Sequence, residues 1–207
     1  MSSVGRVNAR LTLVAHASTA ATARAVFAGD EGLEPRGAAA AAAATRLRRV
    51  TRTVCSPGRA ALETAAALGL AATVDAGLAD WDLGEWRGRA LDEVAADHPA
   101  EVAAWLADPD AVPHGGVPLT ALLARVAGRL AAADGEGHTV AVTHAAVVRA
   151  AVVVTLGAPA AGFWRIDVAP LTATVLRGAP GRWTVRGTAL PLDTSRVEGE
   201  PRPPSTP

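Results

Sequence analysis

Leu11-Thr-Leu-Val14 is an unbroken run of apolar and β-branched residues that stops at Ala15-His16, followed by small and hydroxyl residues. Such a run cannot leave one face wet, so it predicts a buried strand of a parallel sheet with His16 at its carboxyl end. A second run, Thr139-Val-Ala-Val-Thr143, ends in the same way at His144 and is followed by helical spacing over 145–154. The remaining pattern predicts helices over 19–27, 38–44, 59–68, 91–107 (broken near His98-Pro99) and 119–133. It predicts strands over 50–55, 72–75, 163–168, 171–177 and 182–188, the last two joined by a Gly-Ala-Pro-Gly hairpin signal. The alanine-rich segment 38–44 reads as a close-packing helix that Arg46, Arg48 and Arg49 end at its negative pole. Ser56-Pro57 reads as the cap and first position of the next helix, and Gly69 as its stop.

Alternating strands and helices argue for a three-layer α/β/α sandwich with a mostly parallel central sheet. The expected domain covers residues 9–190, with a frayed segment 1–8 and a Pro-rich, disordered tail 191–207. Neither an internal repeat nor an interdomain linker is evident.

In open α/β sheets ligands gather at the carboxyl ends of the strands, where loops and helix N-termini converge. One histidine at a strand end is more often a hydrogen-bonded structural residue than a catalyst. Two at equivalent strand ends point to one site. The stretch from Leu78 to Gly88 adds Asp80, Asp82 and Glu85 beside Trp81 and Trp86. It is either a solvated loop pinned by two rings or a place where a carboxyl group held against an indole acts as a general acid.

Composition narrows the classes. The 207 residues carry 20 basic and 20 acidic side chains, so no broad field attracts nucleic acid or an acidic membrane. Any anion must be held by a local pocket. Every basic residue is Arg, which removes a lysine nucleophile from consideration. Cys55 is the single cysteine, so an intrachain disulfide is excluded and a reducing compartment fits. The apolar run near the N-terminus is too short for a secretion signal, and Arg149, Gly157 and Pro159 interrupt residues 145–161. A cytoplasmic protein is expected. No His/Cys/Asp spacing resembles a metal-ligand set, and His98, His114 and His138 read as surface or turn residues.

Leu-Val-Ala-His16-Ala-Ser-Thr19 resembles the strand–Arg-His-Gly-x-Thr signature of the histidine phosphatase (phosphoglycerate mutase-like) superfamily. The likeness extends over residues 9–190. Leu33-Glu-Pro-Arg-Gly37 is similar to Leu-Thr-x-x-Gly, and Ser56-Pro57 with Glu63-Thr64-Ala65 to Ser-Pro-x-x-Arg-Ala-x-Gln-Thr-Ala. Leu78 to Gly88 is similar to Leu-x-Glu-x-Asp-x-Gly-x-Trp-x-Gly, and Val142 to Arg149 to the second histidine motif. The resemblance implies the phosphoglycerate mutase-like fold and a phosphohistidine mechanism without cofactor or metal. It would make His16 the nucleophile, His144 a ligand of the phosphoryl oxygens and Asp80 the acid in place of the usual Glu, with Asp82 or Glu85 as alternatives. Thr19, Thr22, Arg59 and Ala145 would fall at substrate-binding positions. The implied partner is a small-molecule substrate, a phosphomonoester in the first reading, with neither nucleic acid nor membrane; a homodimer is among the assemblies allowed.

The departures from the pattern concern charge. Ala15 stands where the family has Arg, Ala17 where it has Gly, Thr22 where it has the phosphate-touching Asn, and Ala60 where it has the second Arg, with Arg59 one residue off. Gly115-Gly-Val-Pro118 replaces Gly-Gly-Glu-Ser, and Ala145 replaces a Gly. A hydrogen bond to a charged group contributes about 1.5–3 kcal/mol, so two missing arginines remove on the order of 10²–10⁴ in phosphate affinity or rate. Arg24, Arg59 and Arg87 are candidate substitutes, although a shift of one residue turns a helical side chain by about 100°. Three readings follow: a divergent phosphomonoester hydrolase, an impaired relative that keeps the crevice for binding or regulation, and acid–base chemistry by His16, His144 and Asp80 on a neutral, more apolar substrate.

Overall fold

In the computed structural model, which describes residues 9–44, 47–133 and 135–192, the first apolar run is strand β1, Ala9–Ala15. β1 pairs in parallel with β4, His138–Thr143, and Ala15 lies opposite Thr143. His16 and His144 are thus the next residues on two neighbouring strands that run the same way. The His16 N–H donates to Thr143 O at 2.8 Å, which extends that register past the strand ends.

Strands β2, Arg52–Cys55, and β3, Thr73–Val74, continue the parallel part beyond β4. On the other side of β1, the hairpin of β5, Thr172–Ala179, and β6, Arg182–Pro191, is antiparallel, giving the order β3-β2-β4-β1-β5-β6. The sheet is therefore mixed, with its parallel half carrying both histidines.

The seven helices are α1 (Ala20–Arg24), α2 (Pro35–Ala43), α3 (Arg59–Ala67), α4 (Leu91–Asp97), α5 (Pro99–Ala107), α6 (Leu119–Ala131) and α7 (Ala145–Leu156) among the described residues. Side chains alternate across β1. Leu11, Leu13 and Ala15 join the larger apolar cluster with α4 to α7, whereas Val14, with Val140 and Val142 of β4, joins a smaller one with Ala61 and Ala65 of α3. Both faces of the parallel strands are covered, as their near-continuous apolar character requires. In α6 the buried stripe is Leu119, Leu122, Val126 and Leu130, and each such side chain contributes about 1.5–3 kcal/mol when fully buried. None of the helices among the described residues is long and apolar enough to cross a membrane.

Several local expectations are corrected. The helix expected over 19–27 is only Ala20–Arg24, because Ala25 turns left-handed at φ 51° and Val26 bridges to Ala90. Ser56 does not cap α3. Gly58 is its N-cap, and the Ser56 hydroxyl accepts the Gly58 N–H at 3.2 Å. Residues 163–168 form no strand: after Pro159 the chain turns as a 3₁₀ helix over Ala160–Arg165, which buries Phe163 and sets Trp164 edge to face with Trp105. His138 is buried in β4, 2.8 Å from Thr12 Oγ1, and so is neither surface nor turn; His114 lies in a turn but is fully buried against Trp86, and His98 is partly exposed between α4 and α5. β6 continues through Pro191, and Leu192 packs into the smaller cluster. Segments 1–8 and 193–207, expected to be frayed and disordered, lie outside the described residues, as do Thr45, Arg46 and Asp134.

Candidate active site

His16 is set by the loop it begins. Its Nδ1 lies 2.8 Å from Ala17 O. A carbonyl can only accept, so Nδ1 carries the proton and Nε2 the lone pair. The loop is fixed from α3: the Ala17 N–H donates to Thr64 Oγ1 at 3.0 Å, and the Thr64 hydroxyl donates to Ala60 O at 2.7 Å. Burial pushes the His16 imidazole below its ordinary value. The bond to Ala17 O opposes the shift, His144 adds to it, and Asp80 opposes it. A neutral ring with a free Nε2 is a nucleophile or a base.

His144 faces it, with ring centroids 5.1 Å apart and planes at 70°. Its Nε2 is 2.8 Å from Ser56 Oγ, and its Nδ1 is 3.2 Å from Asp80 Oδ2, a charge contact outside good hydrogen-bond alignment. Ser56 Oγ also accepts the Gly58 N–H, so one hydroxyl ties the His144 ring to the start of α3. The ring passes so close to Gly58 that a Cβ there would stand 2.9 Å from Nε2. A glycine at the helix entry is what lets this histidine lie where it does.

Asp80 is reached from a loop that several groups hold. Its Oδ1 accepts the Trp81 N–H at 2.8 Å. Arg125 of α6 donates to Gly77 O at 3.1 Å, Ala79 O at 2.6 Å and Asp80 O at 3.0 Å, while the Thr143 hydroxyl donates to Leu78 O at 2.8 Å. Burial pushes the Asp80 carboxyl up. The contact with His144, the Trp81 N–H and His16 outweigh burial, and the result is below the ordinary carboxylate value. Asp80 is therefore ionised in the free protein. The two alternative carboxyl groups lie elsewhere: Asp82 accepts from Gly84 and pairs with Arg87 at 3.1 Å, and Glu85 is exposed.

Of the substrate-binding candidates, Thr19 is buried as the cap of α1, accepting the Thr22 N–H at 3.3 Å and donating to Glu31 Oε1 at 3.1 Å. The Thr22 hydroxyl donates to Thr19 O at 2.9 Å. Thr22 and Ala145 line the same cavity as His16. Arg59 does not. Its Nε is 2.7 Å from Glu63 Oε1 in an exposed pair, and its N–H donates to Asp30 at 2.8 Å. Arg24 donates back to Ala20 O in its own helix.

Two cavities flank the ring pair. His16 lines one of about 720 Å³, whose wall is mainly apolar: Ala15, Phe27, Val102, Trp105 and Trp164 are among its residues, and Arg149 of α7 is its guanidinium. His144 and Asp80 line the other, of about 300 Å³, with Asp30 and Arg87. The roles of Thr64, Ser56, Arg125 and Arg149 are not apparent from sequence. The only signal is an arginine at a half-buried position of an otherwise apolar helical stripe, which holds for Arg125. No group of three or more His, Cys, Asp or Glu side chains among the described residues is arranged to hold a metal ion.

A model of the histidine phosphatase superfamily (branch 1) matches residues 11–190. Among solved structures, a mycobacterial hydrolase is 26% identical with a TM-score of 0.77, covering 89% of this chain and 99% of that one. A mycobacterial glucosyl-3-phosphoglycerate phosphatase in complex with inorganic phosphate is 28% identical with a TM-score of 0.73, covering 88% and 98%. An Escherichia coli protein described as an α-ribazole-5′-phosphate phosphatase shares the fold at 22% identity and a TM-score of 0.75, covering 87% and 95%. No curated protein sequence matches significantly.

Proposed function

The chain belongs to the histidine phosphatase superfamily, and from that premise we propose that it hydrolyses a small phosphomonoester through a phosphohistidine at His16. The observation that carries this reading is the 2.8 Å contact between His16 Nδ1 and Ala17 O, which commits Nδ1 as donor and leaves Nε2 to attack. In the first step the Nε2 lone pair forms a bond to phosphorus as the ester P–O bond breaks and the leaving oxygen takes a proton. In the second, water attacks phosphorus and gives a proton back to the carboxylate that supplied the first, the N–P bond breaks and phosphate leaves.

The proton for the leaving oxygen comes from the Asp80–His144 pair. Asp80 is ionised in the free protein, but a phosphoryl dianion nearby adds like charge and raises the carboxyl group's proton affinity. Substrate binding thereby loads the acid. Helical and side-chain groups supply less positive charge than two arginines would, so turnover is expected to be slow for a phosphoryl-transfer site.

A second reading, ligand binding without turnover, is favoured by one contact: Ser56 occupies His144 Nε2, the nitrogen that would otherwise donate to a phosphoryl oxygen. One experiment separates the two. Wild type and His16→Ala are mixed with p-nitrophenyl phosphate, quenched in denaturant and weighed intact. The proposal expects one added phosphoryl group on wild type, mapped to His16, and neither adduct nor turnover in the variant. Turnover that survives in His16→Ala overturns it, and saturable phosphate binding with neither adduct nor turnover supports the second reading.

A further inference from the structure

The 720 Å³ cavity is larger than a phosphoryl group needs and has the wrong wall for one. Its volume falls in the range of sites that enclose a whole small molecule, about 300–1,000 Å³. Alanines, valines, leucines and the rings of Phe27, Trp105 and Trp164 form most of its lining. Within that lining stands one guanidinium. Arg149 is half-buried, and burial pushes its proton affinity down. Its Nε donates to Ile166 O at 2.8 Å and its central carbon lies 5.8 Å from the Phe163 ring centroid. Among the described residues, no carboxylate is within ion-pair distance of it. Asp167 acts on it through space, raising its proton affinity against the larger lowering by burial.

A charge taken partly out of water without a counter-charge is costly, and protein arginines in such places usually pair with a carboxylate or phosphate. Here the two terminal nitrogens are left to whatever enters. A guanidinium donates and never accepts, so a ligand that satisfied it would bring acceptor oxygens.

We infer that the substrate's organic group is a bulky apolar body bearing a carboxylate, the body filling the cavity beside His16 and the carboxylate pairing with Arg149. The reacting end of that substrate rests on the phosphomonoester reading, but the organic group's recognition does not. A neutral polar substrate such as a free sugar is disfavoured, because the cavity wall gives its hydroxyls few partners.

The test uses ligands that lack phosphate. Octanoate and octanol are titrated into the full-length wild-type protein by calorimetry, and then into Arg149→Met and Arg149→Lys. A hydrogen-bonded charge pair predicts that octanoate binds wild type at least about tenfold more tightly than octanol. Arg149→Met should erase that preference while leaving octanol affinity within about twofold, which also reports that the variant is folded. Arg149→Lys should keep part of the preference.

Equal affinity of wild type for the two probes, or no binding of either, overturns the inference even if the methionine variant does not fold. Titration of inorganic phosphate covers the other source of the anion. If Arg149→Met loses phosphate binding while the octanoate preference persists, Arg149 serves the phosphoryl group and the inference fails. Because neither probe can be hydrolysed, failure here leaves the phosphohistidine experiment untouched, and the reverse holds as well.

Discussion

Asp80 Oδ2 lies 3.2 Å from His144 Nδ1, so the carboxylate acts on His16 through a second imidazole and not by direct contact. The pair tunes His16, the proposed nucleophile, from both sides: Asp80 raises the His16 proton affinity and His144 lowers it, beneath a larger lowering by burial. Since His16 must be neutral to attack, kcat/KM should be flat near neutral pH and fall on the acid side with an inflection below 6.5. Asp80→Asn should lower kcat by about 10²–10⁴, the range of a lost general acid. It should also move that inflection to lower pH, and His144→Ala should move it upward. The check is the pH dependence of kcat/KM for the three proteins. A structural role for Asp80 would cost rate but leave the inflection in place.

Thr64 supports His16, the proposed nucleophile, without touching its ring. Its hydroxyl takes the Ala17 N–H and gives its own proton to Ala60 O, at a fully buried position. Thr64→Val keeps the shape and leaves a buried N–H without an acceptor, which costs about 1–3 kcal/mol. Urea unfolding should show a loss of that size, and turnover should fall with it. Thr64→Ser, which keeps the hydroxyl, should recover both.

The two vacancies can be filled. Ala15 lines the large cavity, so it has room in front of it, and Ala60 stands at the first turn of α3. Ala15→Arg with Ala60→Arg should raise affinity for inorganic phosphate by on the order of 10²–10⁴ if each guanidinium makes one charged hydrogen bond. Calorimetric titration of phosphate measures it. An unchanged affinity in a folded double variant would mean that charge is not what limits anion binding here.

Much of this site was legible because it depends on local pattern. Apolar runs that stop at His16 and His144 fix strand ends, and parallel pairing of Ala15 with Thr143 then makes the two residues neighbours. The break at His98-Pro99 was equally plain, since proline cannot continue a helix. What failed depended on distant partners. Residues 163–168 have strand-like composition, but Phe163 and Trp164 are drawn into an aromatic cluster with Trp81 and Trp105, which a 3₁₀ turn satisfies and an extended segment does not. Ser56 has the chemistry of a helix cap, yet His144, 88 positions away, claims its hydroxyl. The burial of His114, in its turn, and of His138 was not legible because nothing in the chain nearby reveals the rings and strands that cover them. Arg125 reaches three carbonyls of residues 77–80 across more than forty positions, a contact no periodicity announces.

Burial lowers the proton affinity of His16, His114 and His138. Between their folded values and 6.5 the unfolded chain binds more protons, so stability rises with pH through that window. It is at its full value above about pH 6.5 and is lost as pH falls through the folded values. Asp80, also lowered, adds a further loss only at more acidic pH, below the ordinary carboxylate range. Unfolding free energy from urea titrations should therefore drop from pH 7.5 to 5.5. His114→Gln, which keeps an acceptor for the Gly116 N–H that Nδ1 takes at 3.0 Å, should reduce the drop.

Gly84 ties the carboxylate loop to the turn at residues 112–117. It sits at φ 46°, and a Cβ added there would collide with the carbonyl of His114, a backbone atom that cannot swing aside. The same carbonyl accepts the Glu85 N–H at 2.9 Å, and the Val117 N–H returns the link to Asp82 O at 3.0 Å. Gly84→Ala therefore meets two penalties at once, a left-handed backbone that alanine disfavours and a forced separation of two hydrogen-bonded loops. Together they should cost about 2–4 kcal/mol. Trp81 is held by this link as well, since its indole donates to Val117 O at 2.7 Å and its own N–H reaches Asp80. Separation of the loops should thus carry into the active site: Gly84→Ala should lower kcat as well as the unfolding midpoint, although residue 84 touches neither histidine. Loss of stability with kcat intact in the folded fraction would show that Trp81 does not transmit the strain to Asp80.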